Sequence, residues 1–270
     1  MLHRLAVITV VYQNYTILTD FSRSFEKQTD MDFHLFVVDL SRKKKSFERP
    51  DFTTYIPALN RGYAYGINIG VERALSQGYD MLCITNSDIV ARKDFVQNIK
   101  KSINSHPFSL VGGKIYYEAG AEYHKDRYQP QDLGNVIWYA GGINDWKNST
   151  TIHRGVDEVD RGQYEKLEKT DFITGCLMGY DKKTAQTVGK WNEGYFLYYE
   201  DADYCERAKK AGIQLYYDPS LVIWHKNAAS TGGSGSSMHQ KYQKINQLKF
   251  GLKFAPLRTK IHLLRNFILS

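Results

Sequence analysis

The sequence has few cysteines, no dinucleotide fingerprint and no apolar run long enough to cross a membrane. Its 3 cysteines, Cys83, Cys176 and Cys205, are odd in number and fall on a predicted strand, loop and helix, so we expect reduced thiols in a cytoplasmic protein. The first apolar run, residues 5–12, lacks a small-residue cleavage site and predicts a buried strand instead of a signal peptide. No G-x-G-x-x-G follows this strand, which argues against a dehydrogenase.

Acidic residues are missing from the last part of the chain. Residues 238–270 contain 7 Lys and Arg and no Asp or Glu, and these equal the whole net charge of +7. The remainder, residues 1–237, is therefore formally neutral, which argues against nucleic acid as a partner. The apolar residues that share one helical face of this tail are Leu257, Ile261, Leu264 and Ile268. A basic amphipathic helix of this kind is typical of binding to an anionic membrane surface, and the alternative is a helix packed on the core.

Strand and helix patterns alternate in the first third of the chain. Residues 5–12, 33–39 and 80–85 are apolar runs typical of strands buried in a parallel sheet, and residues 16–27 form a helix-like stretch. A chain of 270 residues is long enough to bury a large core. We therefore predict an α/β fold that binds its ligand at the carboxyl ends of the strands.

Three carboxylates stand within 4 positions in the most distinctive stretch, residues 174–225. Glu200, Asp201 and Asp203 directly follow the aromatic run 195–199 and begin a helical pattern. Acids in the first turn complement the helix dipole, so helix capping alone can account for them. A dense carboxylate group beside aromatic residues is also typical of an active site, and the pattern leaves both interpretations open.

The order of motifs in this stretch resembles family 2 glycosyltransferases with the GT-A fold. From Thr174 the chain reads TG, then G-x-x-N-E-x-Y-F-L-Y-Y-E-D-x-D-x-C-x-R-x-x-x-A-G, then a strand ending in WH. Residues 60–70, NRGYAYGINIG, also match the family's N-x-G-x-A-x-x-x-N-x-G segment. Among the members, the rhamnosyltransferase-like enzymes of bacteria are the most similar.

The resemblance implies a Rossmann-like mixed central sheet flanked by helices and a division of the chain into regions. The catalytic domain would span residues 1–237, with a nucleotide-sugar half over about 1–112 and an acceptor half over about 113–237. Residues 238–270 would form the basic helical tail.

On this resemblance, the first half of the chain binds the donor nucleotide. The implied residues are Thr9, Asp39, Asn60, Gly62 and Asn68. Asp39 closes the second strand and would contact the pyrimidine base, although an Asp at a turn needs no ligand. The loop containing Gly62 opens a helix and offers free N–H groups to phosphate.

Asp88 and His225 are implied to bind Mg²⁺ or Mn²⁺. The D-x-D of GT-A enzymes is Asn86-Ser87-Asp88 here, which leaves one carboxylate, so donor phosphates would supply much of the coordination. A lone His after a strand is otherwise structural, but imidazole is a usual ligand of transition metals. The Gly- and Ser-rich segment 229–237 next to His225 predicts either a linker or a lid over the donor.

The resemblance assigns Asp201 as the general base, with Glu200 orienting the acceptor or the base. The residues expected on the acceptor or donor-sugar side are Thr174, Gly175, Cys176 and Trp138, with Trp146 and His153 as further candidates for sugar contacts. The predicted reaction is inverting transfer of L-rhamnose from dTDP-L-rhamnose to a bacterial surface glycan, including a lipid-linked one, at the inner face of the membrane.

Two alternatives remain at this point. The donor can be a UDP-sugar such as UDP-galactofuranose, or the chain can be a non-catalytic carbohydrate-binding protein that keeps the same shell. The incomplete D-x-D supports the binding protein, whereas the presence together of Asp88, Asp201 and His225 supports the enzyme.

Overall fold

A computed structural model describes residues 4–226 and 237–269. The strands are β1 (Leu5–Val11), β2 (Phe33–Asp39), β3 (Thr53–Pro57), β4 (Met81–Thr85), β5 (Ile89–Ala91), β6 (Ser109–Tyr117), β7 (Ile137–Tyr139), β8 (Gly142–Asp145), β9 (Thr150–His153), β10 (Glu168–Lys169), β11 (Leu177–Asp181) and β12 (Gln214–His225). The α-helices are α1 (Ile17–Glu26), α2 (Tyr63–Ser76), α3 (Phe95–Ser105), α4 (Lys182–Val188), α5 (Glu200–Lys210), α6 (Ser237–Phe254) and α7 (Leu257–Leu269). Except for Ser237, the predicted lid over 229–237 lies outside the described residues.

One large mixed sheet forms the centre of the described chain. Its strand order is β10-β12-β6-β11-β4-β1-β2-β3, with β5 and β7 paired to β12 and β6. β1, β2, β3 and β4 run parallel and form a Rossmann-like half. β11 runs antiparallel between β4 and β6, and β12 runs parallel to β6. The predicted α/β class with a mixed central sheet is therefore confirmed.

The pairing of β5 with β12 brings together two residues that are far apart in the sequence. His225, the last residue of β12, is in register with Ile89, the first residue of β5. Asp88 directly precedes β5, and its carbonyl accepts a hydrogen bond from the backbone N–H of Lys226 at 2.8 Å. A strand pair thus places Asp88 and His225 side by side at the edge of the sheet.

β12 is one strand, whereas the sequence pattern predicts two strands over 214–217 and 221–224. The register of β12 against β6 shifts between Asp218 and Val222. Pro219 lies within this shift and has no N–H to donate to the ladder. The turn-forming residues therefore produce a bulge inside a continuous strand.

α6 packs on the body of the protein, and α7 contacts α6. Phe250 of α6 is 1% exposed, and its ring stacks on Trp146 with the centroids 5.6 Å apart. On α7, Leu257, Ile261 and Leu264 are 73%, 60% and 45% exposed, so most of the predicted apolar stripe faces solvent. The side chain of Ile268 lies outside the described part. No helix within 4–226 and 237–269 is long and apolar enough to cross a membrane.

Candidate active site

A cavity of about 590 Å³ opens where β1, β4 and β12 end, a size suited to a small-molecule ligand. The predicted catalytic and metal-binding residues line it together: Glu200, Asp201, Asp88 and His225. The other predicted residues that line it are Asn60, Gly62, Trp138, Thr174, Gly175 and Cys176. The sheet topology and the start of α5 thus bring distant motifs to one place.

Asp201 lies in the first turn of α5 and is partly open to the cavity. Its Oδ2 accepts a hydrogen bond from the N–H of Gly175 at 2.9 Å, and its Oδ1 accepts one from the N–H of Ala202 at 2.8 Å. Burial raises the pKa of Asp201, and these two N–H groups oppose the rise by stabilising the anion.

Glu200 is 6% exposed, and its Oε2 has no hydrogen-bond partner among the described residues. Burial raises the pKa of Glu200 well above its ordinary value, and the neighbouring Asp201 charge raises it further. Since the Asp201 carboxylate accepts two backbone N–H bonds and Glu200 Oε2 accepts none, Asp201 ionises before Glu200. Glu200 is therefore suited to donate a proton or a hydrogen bond, and Asp201 is suited to accept a proton, as in many active sites with two carboxyl groups.

Gly62 brings the loop before α2 into contact with the aromatic run before α5. The N–H of Tyr63 donates to the carbonyl of Phe196 at 3.0 Å. Gly62 has φ +103°, and a Cβ there would lie 2.5 Å from the Phe196 carbonyl oxygen. Only glycine fits both the backbone conformation and this close approach.

Asp88 and His225 form a buried pair beneath the cavity, with 3.2 Å between Asp88 Oδ1 and His225 Nε2. Burial alone would raise the pKa of Asp88, but His225 holds this pKa below its ordinary value. Nδ1 of His225 is buried without a partner among the described residues. The Trp138 ring meets the His225 ring edge-to-face at 4.6 Å.

These two side chains fit a divalent cation as a partial ligand set. The carboxylate of Asp88 and the Nε2 of the His225 ring that faces it are suitable donors for Mn²⁺ or Mg²⁺. Residues 4–226 and 237–269 contain no group of three or more His, Cys, Asp or Glu that could hold a metal, and donor phosphates and water would add ligands to this pair.

Thr9, Asp39 and Asn68 do not line the cavity. Asp39 is fully buried, and burial alone would raise its pKa, but hydrogen bonds from Ser41, Tyr15 and Tyr55 hold the pKa below its ordinary value. Its Oδ2 accepts both tyrosine hydroxyls, at 2.6 and 2.5 Å, so these rings cover the carboxylate predicted to contact a base.

Asn68 and Thr9 lie within buried secondary structure. Asn68 exchanges hydrogen bonds with the backbone of Trp191 at 2.8 and 2.9 Å, which links α2 to the segment before α5. Thr9 is 1% exposed in β1, and its hydroxyl has no partner among the described residues.

One wall of the cavity contains residues that sequence patterns do not single out. The hairpin β8–β9 and its turn contribute Thr150 and Thr151, and α6 contributes Gln243. His153, a sugar-contact candidate, also lines the cavity, and burial lowers its pKa to about 4, so the ring is neutral at pH 7. Trp146 instead packs against α6. The sequence signal available for α6 was the spacing of Asn246 and Phe250, which are 4 positions apart and therefore share one helix face.

Residues 6–189, well over half of the chain, match the model of Glycosyl transferase family 2. Rhamnosyltransferase WbbL of Escherichia coli K12 is 24% identical over 179 residues, 63% of this chain and 63% of WbbL. The dTDP-rhamnosyl transferase RfbF of Shigella flexneri is 22% identical over 166 residues, 62% of this chain and 49% of RfbF. The chain thus aligns with less than two thirds of either relative.

The crystal structure of GalNAc-T7 with UDP, GalNAc and Mn²⁺ superposes with a TM-score of 0.65 at 13% identity. The superposition covers 91% of this chain and 48% of GalNAc-T7. At this level of identity the likeness concerns the fold, which the two proteins share over nearly all of this chain.

Proposed function

Since this chain belongs to glycosyl transferase family 2 and is a glycosyltransferase with the GT-A fold, we propose that it transfers L-rhamnose from dTDP-L-rhamnose to a hydroxyl of a growing bacterial surface glycan. The names of the relatives WbbL and RfbF support rhamnose, and the latter supports dTDP as the carrier. The observation that carries the proposal is that Asp201 and the Asp88–His225 pair line one cavity. UDP-galactofuranose is the alternative donor.

In this proposal the leaving diphosphate lies against Asp88 and His225. These residues would hold Mg²⁺ or Mn²⁺, which would neutralise the charge that develops on the leaving group. The presence of UDP and Mn²⁺ in GalNAc-T7 supports this assignment by analogy of fold. Gly62 and Tyr63 at the start of α2 line the cavity, and the positive end of the helix dipole there is suited to the donor phosphates.

Asp201 acts as the general base on the acceptor hydroxyl. The acceptor oxygen attacks the anomeric carbon, the bond from that carbon to the diphosphate oxygen breaks, and the hydroxyl proton moves to Asp201. The N–H of Gly175 holds the Asp201 carboxylate in place. Protonated Glu200 donates a hydrogen bond that orients the acceptor. One displacement by one base inverts the configuration at the anomeric carbon.

The exposed face of α7 supports a location on an anionic membrane. Leu257 and Ile261 are the most exposed apolar side chains of this helix, and Arg258 and Arg265 beside them are exposed. We expect the chain to float with vesicles containing phosphatidylglycerol. L257E/I261E should lose flotation, while M31E, at an exposed site distant in sequence, should keep it. Absence of flotation by the unaltered chain would contradict this location.

The donor is tested by thermal-shift titration with dTDP, UDP, GDP and their common sugar conjugates, with and without Mn²⁺. We expect dTDP and dTDP-L-rhamnose to raise Tm in a Mn²⁺-dependent manner. A response to UDP-sugars alone would replace the donor by the UDP alternative. No response to any nucleotide would contradict the proposed reaction.

A further inference from the structure

The two residues directly before the catalytic carboxylates have an unusual backbone conformation. Tyr198 and Tyr199 have φ of +68° and +70°, in the left-handed region that L side chains rarely adopt. Consecutive residues of this kind persist only where surrounding contacts hold them. Because α5 begins at the next residue, this turn sets the direction in which Glu200 and Asp201 enter the cavity.

A single side chain from α6 holds the carbonyl groups of this turn. Asn246 is 3% exposed, and its Nδ2 donates to the carbonyl of Leu197 at 2.8 Å and to that of Tyr198 at 3.1 Å. An amide nitrogen carries two hydrogens, so both bonds can form at once. The side-chain amide of Asn246 therefore supplies one hydrogen to each of these two carbonyl groups.

The same face of α6 holds the rest of the segment over residues 194–203. Its side chains recur at helical spacing, at Asn246, Lys249, Phe250 and Lys253. Lys249 donates to the carbonyl of Gly194 at 2.6 Å, and Lys253 donates to the fully buried carboxylate of Asp203 at 2.5 Å. The Phe250 ring lies 5.4 Å from that of Tyr199.

We propose that Asn246 is a positioning residue for the transfer reaction, which acts by holding the left-handed turn so that Asp201 meets the acceptor hydroxyl. This inference rests on the proposed role of Asp201. It also gives the basic tail a part in catalysis, since α6 belongs to that tail. Asn246 bonds to the turn before Glu200 and Asp201 and not to Asn60 or Gly62, so we expect the larger effect on kcat.

The test compares N246A with Q247A, a matched control on the same helix whose amide donates to the carbonyl of Asn148 at 2.8 Å, on the hairpin side. Turnover is followed as dTDP released from dTDP-L-rhamnose, or as the nucleotide of the donor selected by titration, with bacterial lipid extract as acceptor. We expect N246A to lose at least tenfold in kcat with the donor KM within twofold, and Q247A to keep both. N246S retains one hydrogen-bond donor, so its kcat should lie between those of the wild type and N246A. It also allows the test to be made if N246A does not fold.

A double-mutant cycle separates positioning from general loss of stability. If Asn246 acts through Asp201, D201N/N246A should be no slower than D201N alone. Additive losses in the double variant, a change in KM instead of kcat, or an equal loss in Q247A would overturn the inference. Near-normal turnover in D201N would instead overturn the proposed base, and with it the inference. A slow D201N beside a normal N246A would overturn the inference alone.

Discussion

Replacement of Glu200 by Gln should stabilise the protein more as the pH rises. Glu200 is buried with an unpartnered Oε2, and its pKa in the folded state is raised by burial and by Asp201. In the unfolded chain a glutamate releases its proton at about pH 4.3. Above that pH Glu200 binds more protons in the folded state than in the unfolded state, and its contribution to wild-type stability falls until the pH reaches its raised pKa in the folded state.

The slope gives the magnitude of this effect. One proton held by the folded state alone lowers the free energy of unfolding by about 1.4 kcal/mol per pH unit. A change of 1 kcal/mol moves Tm by roughly 2–4 °C in domains of about this size. Gln has no proton to lose at this position. The Tm of E200Q minus that of the wild type should therefore increase by roughly 3–6 °C per pH unit over the window.

The assay is thermal unfolding of both proteins at pH 5, 6, 7 and 8 in one buffer series. E48Q, which makes the same replacement at an exposed loop position, controls for the change of residue type and should track the wild type. A Tm difference for E200Q that stays flat, or grows toward acidic pH, would refute the proposal that Glu200 keeps its proton in the folded protein.

Two further predictions concern the walls of the cavity. G62A should cost more free energy of unfolding than G189A, measured by urea denaturation, because both glycines have positive φ but only at Gly62 would the Cβ meet a backbone oxygen, 2.5 Å away. We expect about 1–3 kcal/mol for G189A from the conformation alone, and an equal loss in both variants would contradict the close contact with Phe196. D88N and H225A should each abolish the Mn²⁺ dependence of nucleotide-induced Tm shifts, and a retained dependence would exclude the pair as ligands.

The sequence predicted the parts of the fold in which a local pattern and a motif coincide. The bounds of β2, 33–39, agree with the predicted strand because the apolar residues 35–38 at its centre are all buried. Asp88 and His225 were predicted on resemblance, and the pairing of β5 with β12 explains why they meet.

Other features depend on contacts between distant segments and could not be read from the sequence. Tyr15 and Tyr55 come from different elements and cover Asp39, which no local pattern indicates. The basic composition of the tail likewise gave no indication that Lys249 and Lys253 form hydrogen bonds with the segment 194–203, which contains the carboxylates. The net charge of a segment can be counted from the sequence. Whether its charged side chains face solvent or contact another segment depends on the fold.

The central claim is that Asp201 is the base in a cavity that also binds the donor. The most direct measurement is turnover and donor binding by D201N beside the wild type. Asn keeps an oxygen that can accept the N–H of Gly175, but it cannot take a proton from the acceptor. We predict a loss of roughly 10²–10⁴-fold in kcat, with the Kd for the donor nucleotide unchanged within twofold. Near-normal turnover in D201N would contradict the assignment of Asp201 and the mechanism built on it.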